Sequence, residues 1–422
     1  MEISSLERFN TWWRSGRVNN SLLQGYRRHL FSDIQKYISL RQAILIYGLR
    51  RVGKSTLLYQ MINDLLATVE PHRILYFSFD DKRYDLEDVL DTYQKMILHS
   101  TFDIIDKKVY IFFDEIQKVE DWESKIKVNY DLYPNVKFFL SGSASIALRK
   151  GAKESLAGRI FDFVLDPLKF TEFLEMNHKD ISKIKKEPEL WQREITPLFY
   201  KYIKFGAFPE LVTVKDEEIA RKYINEDVIQ KIIYKDLPQV FGPLDIELLR
   251  ILTEMVARSP GILIDYASLG KSLKRDQRTI ANYLEYLEFG MIIKMVFNYR
   301  GSHIASRRKL KKVYLTTPNI TFATAENIDR AMPYMLENMI MLSSKASFFY
   351  KNSFEVDFVK EEGGKITGIE VKSNSTNVKQ LINFKREFDG KIKELLLITN
   401  KEEMAYKEIK RIQAWRYCLF NE

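Results

Sequence analysis

The stretch AILIYGLRRVGKSTLLYQM, residues 43–61, decides how the rest of the chain is read. Ala43–Tyr47 is an apolar run of the length expected of a buried strand. It breaks at Gly48, and Gly48-Leu49-Arg50-Arg51-Val52-Gly53-Lys54-Ser55 fills every fixed position of G-x-x-x-x-G-K-[ST]. After Thr56, residues Leu57, Leu58 and Met61 fall on one side of a helical segment. Strand, glycine loop and helix together make the context in which this motif binds a nucleotide. Backbone N–H groups from Gly48 to Thr56 curl around phosphate oxygens, and the helix turns its positive end to the same anion. In that arrangement Lys54 reaches the β- and γ-phosphates and the Ser55 hydroxyl ligates Mg²⁺.

The chain has 422 residues, enough for two to four domains, with 45% hydrophobic and 29% charged residues. Its single cysteine, Cys418, excludes an internal disulfide and a cysteine-built zinc site, and five scattered histidines argue against a histidine-built one. The N-terminus lacks a basic-then-apolar signal pattern, and no apolar run approaches membrane-spanning length. A cytoplasmic protein is expected. The net charge of +9 permits a nucleic-acid partner without requiring one.

Residues 1–40 read as an amphipathic helical segment, from which Arg27 and Arg28 could approach a bound nucleotide, with surface placement the preferred reading. From 41 to 170 strands alternate with helices. Arg73–Phe79, Val109–Phe113, Val136–Ser141 and Arg159–Leu165 are apolar runs, and Leu86–His99 and Trp122–Leu132 are helical between them. Such alternation predicts an α/β core with a parallel sheet and ligands at the strands' carboxyl ends.

The strand at Val109–Phe113 runs into Asp114-Glu115, about 60 residues after the glycine loop. Asp114 is placed to hold Mg²⁺, and Glu115 to take a proton from an attacking water. Ser143, closing Ser141-Gly142-Ser143, is the candidate for contact with the γ-phosphate. Arg159, at the end of Ser155-Leu156-Ala157-Gly158-Arg159, is the candidate for neutralising transition-state charge, in its own subunit or across an interface between copies. A structural ion pair is the competing reading of that arginine.

These motifs in succession, continued by Asp166-Pro167-Leu168-Lys169-Phe170-Thr171-Glu172-Phe173, resemble the prokaryotic AAA+-type ATPases of the ASCE P-loop class that carry a C-terminal domain of poorly defined function. The resemblance extends over most of the chain after residue 40. It implies ATP as the nucleotide, an ATPase core, a helical segment, a winged-helix module and a terminal domain similar to the PD-(D/E)XK nuclease fold.

The remaining sequence is divided accordingly. Residues 171–255 read as a helical lid or linker, in which Lys201, Lys204 and Arg221 are cations without a distinguishing context. Residues 256–312 read as helix, turn, helix and strand, a winged helix-turn-helix. Lys274, Arg275 and Arg278 flank its second helix, and Arg307 and Arg308 lie in the basic run Arg300–Lys312, which holds six Lys/Arg. DNA contact is one reading of these residues; a solvated linker or protein contact is the other. Residues 313–422 read as αβββαβ, matching a restriction-endonuclease-like core. Glu370 and Lys372 share a face of one strand, Asp357 lies in the preceding strand, and Glu337 lies in a helix. Two or three carboxylates and a lysine are what metal-assisted phosphodiester cleavage requires, with Mg²⁺ or Mn²⁺ as the ion. Ser353-Phe354, however, stand before Glu355 where the family pattern has a proline–acid pair, and an ion-pair cluster is the competing reading.

The expectation is therefore an ATP-binding and ATP-hydrolysing AAA+-type ATPase coupled to DNA binding or remodelling. An ATP-gated metal-dependent nuclease and a non-enzymatic nucleotide switch acting on DNA or a protein partner are the alternatives.

Overall fold

A computed structural model describes residues 1–81, 83–143, 156–300, 310–373, 377–400 and 408–421. The chain forms two compact units, Met1–Asp166 and Pro167–Glu422.

In the first unit five strands make one parallel sheet: β1 (Ala43–Gly48), β2 (Ile74–Ser78), β3 (Val109–Asp114), β4 (Val136–Ser143) and β5 (Ile160–Val164), in the order β2-β3-β4-β1-β5. Every residue of β2 and β4 is buried, as helices on both faces of a parallel sheet require. One strand, β4, separates the glycine-loop strand β1 from the acid-bearing strand β3. Register sets Gly48 beside Ser143, so the ends of β1 and β4 meet at the carboxyl edge. Gly48 has no alternative there, because a Cβ on it would lie 2.2 Å from the Leu165 carbonyl oxygen.

The first forty residues form four short helices, Ile3–Glu7, Trp12–Ser15, Asn20–Leu23 and His29–Gln35. Their task is visible at the sheet's edge. Trp12 and Trp13 both donate their indole N–H to the Ile74 carbonyl, at 3.1 and 2.9 Å. Asn10 accepts from the Tyr76 N–H at 2.7 Å and donates to the Tyr76 carbonyl at 2.9 Å. These side chains pair the outer edge of β2 as a further strand would.

The second unit begins with helices, among them Phe170–Met176, Pro188–Lys201, Glu217–Tyr223 and Ile246–Arg258. There follow β6 (Ile262–Ile264), helices Tyr266–Leu273 and Gln277–Phe289, β7 (Ile293–Asn298) and β8 (Lys311–Leu315). Asp245, Asp265 and Asp276 each cap a helix in this run through side-chain oxygens on backbone N–H groups. Between the last two helices the turn is tight: Lys274 is left-handed (φ 53), and a Cβ on Gly270 would come within 2.7 Å of the Arg275 carbonyl oxygen.

Helix Ile328–Ser344 then precedes β9 (Phe348–Lys351), β10 (Glu355–Glu362) and β11 (Lys365–Lys372). Helix Lys379–Glu387, β12 (Ile392–Thr399), β13 (Ile409–Gln413) and helix Ala414–Asn421 complete the chain. The last strand and helix add to the expected αβββαβ succession. The strands form one eight-stranded sheet, β13-β12-β11-β10-β9-β7-β8-β6. The boundary expected between residues 312 and 313 falls inside β8, which pairs on one side with β6 and on the other with β7. Asn338 fastens the following helix to this strand, donating to the Leu315 carbonyl and accepting from its N–H, both at 2.9 Å.

Candidate functional site

The glycine loop enters its helix through two left-handed residues, Arg51 (φ 65) and Gly53 (φ 96). Leu49 and Val52 are buried beneath it, Arg50 is half-buried and Arg51 exposed. Lys54 opens the helix Lys54–Leu65, and its ammonium donates to the carbonyls of Gly48 (3.1 Å) and Leu49 (2.7 Å). It is thereby folded over the loop. Ser55 Oγ donates to Asp114 Oδ2 at 2.5 Å. The hydroxyl and carboxylate expected to share Mg²⁺ are thus in contact, and this donor set suits a hard cation.

Asp114, 3% exposed at the end of β3, accepts four hydrogen bonds. Oδ2 takes Ser55 and the Tyr76 hydroxyl (2.9 Å); Oδ1 takes the Ser141 hydroxyl and the Glu115 N–H (3.0 Å). Ser141 and Tyr76 escaped the sequence analysis. For Ser141 a signal existed, since it lies two residues before Ser143 and therefore on the same face of β4. Tyr76 carries no such mark.

Glu115 stands next in a left-handed conformation (φ 54, ψ 37) that turns the chain out of β3. Burial raises its carboxyl above the ordinary glutamate range, while the charge of Lys54 works the other way. Gln117 Nε2 donates to Glu115 Oε2 at 2.5 Å. Arg28, expected at the surface, is instead 8% exposed. Its guanidinium donates to the carbonyls of Val52 in the loop and Asp166 beyond β5, each at 2.8 Å.

Arg159 is not brought to this site. Its carbonyl accepts from the Ala43 N–H, at the amino end of β1. Five residues of strand put it about 17 Å from Gly48. There its guanidinium pairs with Asp131 at 2.8 and 3.0 Å, the structural ion pair that is the competing reading of this arginine.

In the second unit β10 and β11 bring Asp357, Glu370 and Lys372 together. Asp357 Oδ2 accepts from the Val371 N–H (2.8 Å), and the Lys372 ammonium lies 2.7 Å from Glu370 Oε1. Glu337 joins from its helix, accepting from the Tyr314 hydroxyl at 2.7 Å. Three residues not expected there complete the group. Lys312, 4% exposed on β8, lies 2.7 Å from Glu355 and 3.8 Å from Glu337, and Lys351 lies 2.7 Å from Glu355. Burial pushes Glu370 up to about 8 and Glu337 up to about 7, and raises Asp357 as well. Burial acts likewise on Glu355, but Lys312 and Lys351 outweigh it and lower that carboxyl. Among the described residues no group of three or more His, Cys, Asp or Glu is arranged to hold a metal ion. The ammonium groups supply the neutralising charge, although Glu370 Oε2 is buried with no hydrogen-bond partner among the described residues.

The basic residues expected on DNA divide. Lys274 and Arg278 are exposed, whereas Arg275 is paired with Asp245 at 2.7 Å. Arg307 and Arg308 lie outside the described residues. Lys312, read as part of the same basic run, belongs to the acidic cluster instead. Lys201 donates to the Val212 carbonyl, Lys204 pairs with Glu217, and Arg221 donates to the carbonyls of Phe322 and Ala325.

Residues 40–174 match the family described as an AAA domain. That stretch is similar to an AAA-type domain. The match supports an AAA+ ATPase family for the chain. Residues 196–325 and 334–418 match two families described as domains of unknown function. An uncharacterized protein of Methanocaldococcus jannaschii is 27% identical over 382 residues, covering 86% of this chain and 82% of the relative. A second from that organism is 26% identical over 68% of this chain and 64% of its own length. An uncharacterized protein of Haemophilus influenzae is 26% identical over 58% of this chain and 59% of its own length. Among solved structures, the Aeropyrum pernix Orc1 protein in complex with DNA aligns over 73% of this chain and 96% of its own, at 15% identity and a TM-score of 0.33. No helix among the described residues is long and apolar enough to cross a membrane.

Proposed function

We propose that the chain is an ATP-hydrolysing AAA+-type ATPase, working in the cytoplasm, whose nucleotide cycle controls DNA binding or remodelling by its second unit. The observation that carries this reading is the Ser55–Asp114 contact beside Lys54, with Glu115 next in the chain. Lys54 and the loop N–H groups hold the β- and γ-phosphates. Ser55 and Asp114 would hold Mg²⁺, which when bound would offset phosphate charge. Glu115 accepts a proton from water, and Ser143, paired in register with Gly48, faces the γ-phosphate. Any part of Arg159 in neutralising charge is played across an interface between copies. Phosphate release by wild type and its loss in Glu115→Gln, with nucleotide affinity kept, is the expected result; unchanged release would remove Glu115 as the base.

For residues 256–312, helix, short strand, two helices and two antiparallel strands support the winged-helix reading. The helices of 171–255 are read as a lid. Lys274, Arg278, Arg307 and Arg308 then contact phosphate backbone. Duplex affinity should fall steeply with salt and weaken in Arg307→Ala/Arg308→Ala; a flat salt response would favour a protein partner. A second reading, metal-dependent cleavage at Glu337, Asp357, Glu370 and Lys372, is favoured by the meeting of the last three on adjacent strands. Mn²⁺-dependent plasmid nicking abolished by Asp357→Ala would support it, and no nicking at all would end it.

A further inference from the structure

Lys201 and Lys204, which have no distinguishing context in the sequence, share a cleft of about 310 Å³ with a third lysine, Lys215. The cleft lies wholly within the second unit, where the end of helix Pro188–Lys201 meets the start of helix Glu217–Tyr223. Pro197 stands inside the first helix and removes a backbone donor from it. The chain then continues as a wider i→i+5 turn, Tyr202–Gly206, which carries Lys204 and Phe205; such widened turns are frequent at functional sites.

The charges of the cleft do not balance. Its one carboxylate, Glu217, is taken by Lys204 at 2.7 Å. Asp216, next to it in the chain, accepts from the N–H groups of Glu218 and Ile219. Lys201 gives one of its three N–H groups to the Val212 carbonyl at 2.6 Å and keeps two. Lys215 is exposed and has neither a hydrogen bond nor an ion pair among the described residues. Burial lowers the pKa of Lys201, and the charge of Lys215 lowers it further. Two ammonium groups thus share one cleft without a carboxylate partner, a repulsion that a bound anion relieves. The rest of the lining is aromatic or apolar. Phe205 is buried against Phe322, with the Lys201 ammonium 5.7 Å from its ring centre. Tyr200 and Pro197 complete it, and the Tyr200 hydroxyl makes no hydrogen bond among the described residues.

We propose that this cleft binds a nucleoside monophosphate, with its phosphate on Lys201 and Lys215 and its base against Tyr200 and Phe205. A phosphomonoester carries close to two negative charges at neutral pH, which matches the two ammonium groups that lack a carboxylate. Its terminal oxygens accept several hydrogen bonds at once, and the two ammonium groups and the Tyr200 hydroxyl supply donors. The volume is at the small end for ligand sites and suits a single mononucleotide. Aromatic rings offer a planar base a stacking surface that a sugar phosphate or a phosphate ion does not use. The site is separate from the glycine loop and does not rest on the ATPase reading.

The test is calorimetric titration of the full chain, first saturated with ADP and Mg²⁺ at the glycine loop, by AMP, adenosine, ribose 5-phosphate and inorganic phosphate. AMP should bind one-to-one and about tenfold or more tightly than each of the other three. Lys215→Met should weaken AMP about tenfold, and Lys215→Glu further. Lys215 touches no described partner, so both variants should keep the wild-type melting temperature. Lys201→Met should act in the same direction, and affinity should fall as salt rises. Absence of AMP binding by wild type overturns the proposal, as does an affinity unchanged in Lys215→Glu or ribose 5-phosphate binding as tightly as AMP. Binding of AMP that disappears once ADP and Mg²⁺ are present belongs to the glycine loop and overturns it too. The two readings fail separately. A chain that ignores ADP but binds AMP through Lys215 defeats only the ATPase reading, whereas an active ATPase indifferent to AMP defeats only this one.

Discussion

Asp114 accepts a donor at every lone-pair position it has, and two of the four donors, Tyr76 and Ser141, reach it from neighbouring strands. Its orientation is thus set before any nucleotide arrives, and each donor removed loosens it. Tyr76→Phe leaves the ring's packing and deletes one bond to a charged group, so unfolding stability should drop by about 1.5–3 kcal/mol, with Mg²⁺-dependent ATP affinity weakened. Denaturant melts and nucleotide titration with and without Mg²⁺ measure both. The acidic cluster of the second unit makes a prediction of opposite character. Glu370 is raised to about 8 by burial, with Asp357 adding to the shift and Lys372 opposing it. An acid whose folded pKa exceeds its unfolded value binds more protons in the native state, so its stabilising contribution is complete at low pH. That contribution is lost as pH climbs from about 4.5 to about 8. Stability should therefore decline across that window by an amount on the order of 2 kcal/mol, and Glu370→Gln should flatten the slope. A Glu370→Gln profile as steep as wild type would show that the proton sits elsewhere.

At the level of elements, the edge of β2 depends on residues far away in sequence. Asn10 and Tyr76 are separated by 66 positions, yet they exchange two hydrogen bonds as paired strands do. Asn10→Ala leaves the Tyr76 N–H and carbonyl unpaired beneath a buried segment, and should cost about 1–3 kcal/mol. Thermal melting of the full chain reads this, and removal of residues 1–16 should promote self-association through the bared edge. None of this was legible beforehand, because an edge capped by side chains has no period and no motif. What could be read were features written locally. Buried parallel strands appear as apolar runs, and Gly48, Lys54, Ser55, Asp114 and Glu115 sit at strand ends within short fixed patterns. The position of Arg159 could not be read, because a motif states residue types but not which end of a strand it occupies; only register with Ala43 shows that it stands at the amino end of β1. Lys312 misled, as a lysine in a basic run, since its carboxylate partners come from a later helix and strand.

For the second unit as a whole, the decisive feature is that β8 is interior to its sheet. A chain divided after residue 312 would cut this strand in the middle, separating Lys311 and Lys312, which pair with Ile264 and Leu263, from Val313, Tyr314 and Leu315, which pair with Met295, Lys294 and Ile293. The cut would also part Lys312 from Glu337 and Glu355, leaving buried carboxylates without their counter-charge, a change more damaging than loss of a surface pair. The fragments 167–312 and 313–422 should therefore each lack a cooperative unfolding transition and be degraded rapidly by protease. Residues 167–422 should melt in one step, because the strands from β6 to β13 share one hydrogen-bonded sheet. Circular dichroism melts and limited proteolysis of the three polypeptides decide the matter. A stable, cooperatively folded 313–422 would mean that β7 and β8 are dispensable to the terminal strands, and that residues 167–312 and 313–422 are separable bodies after all.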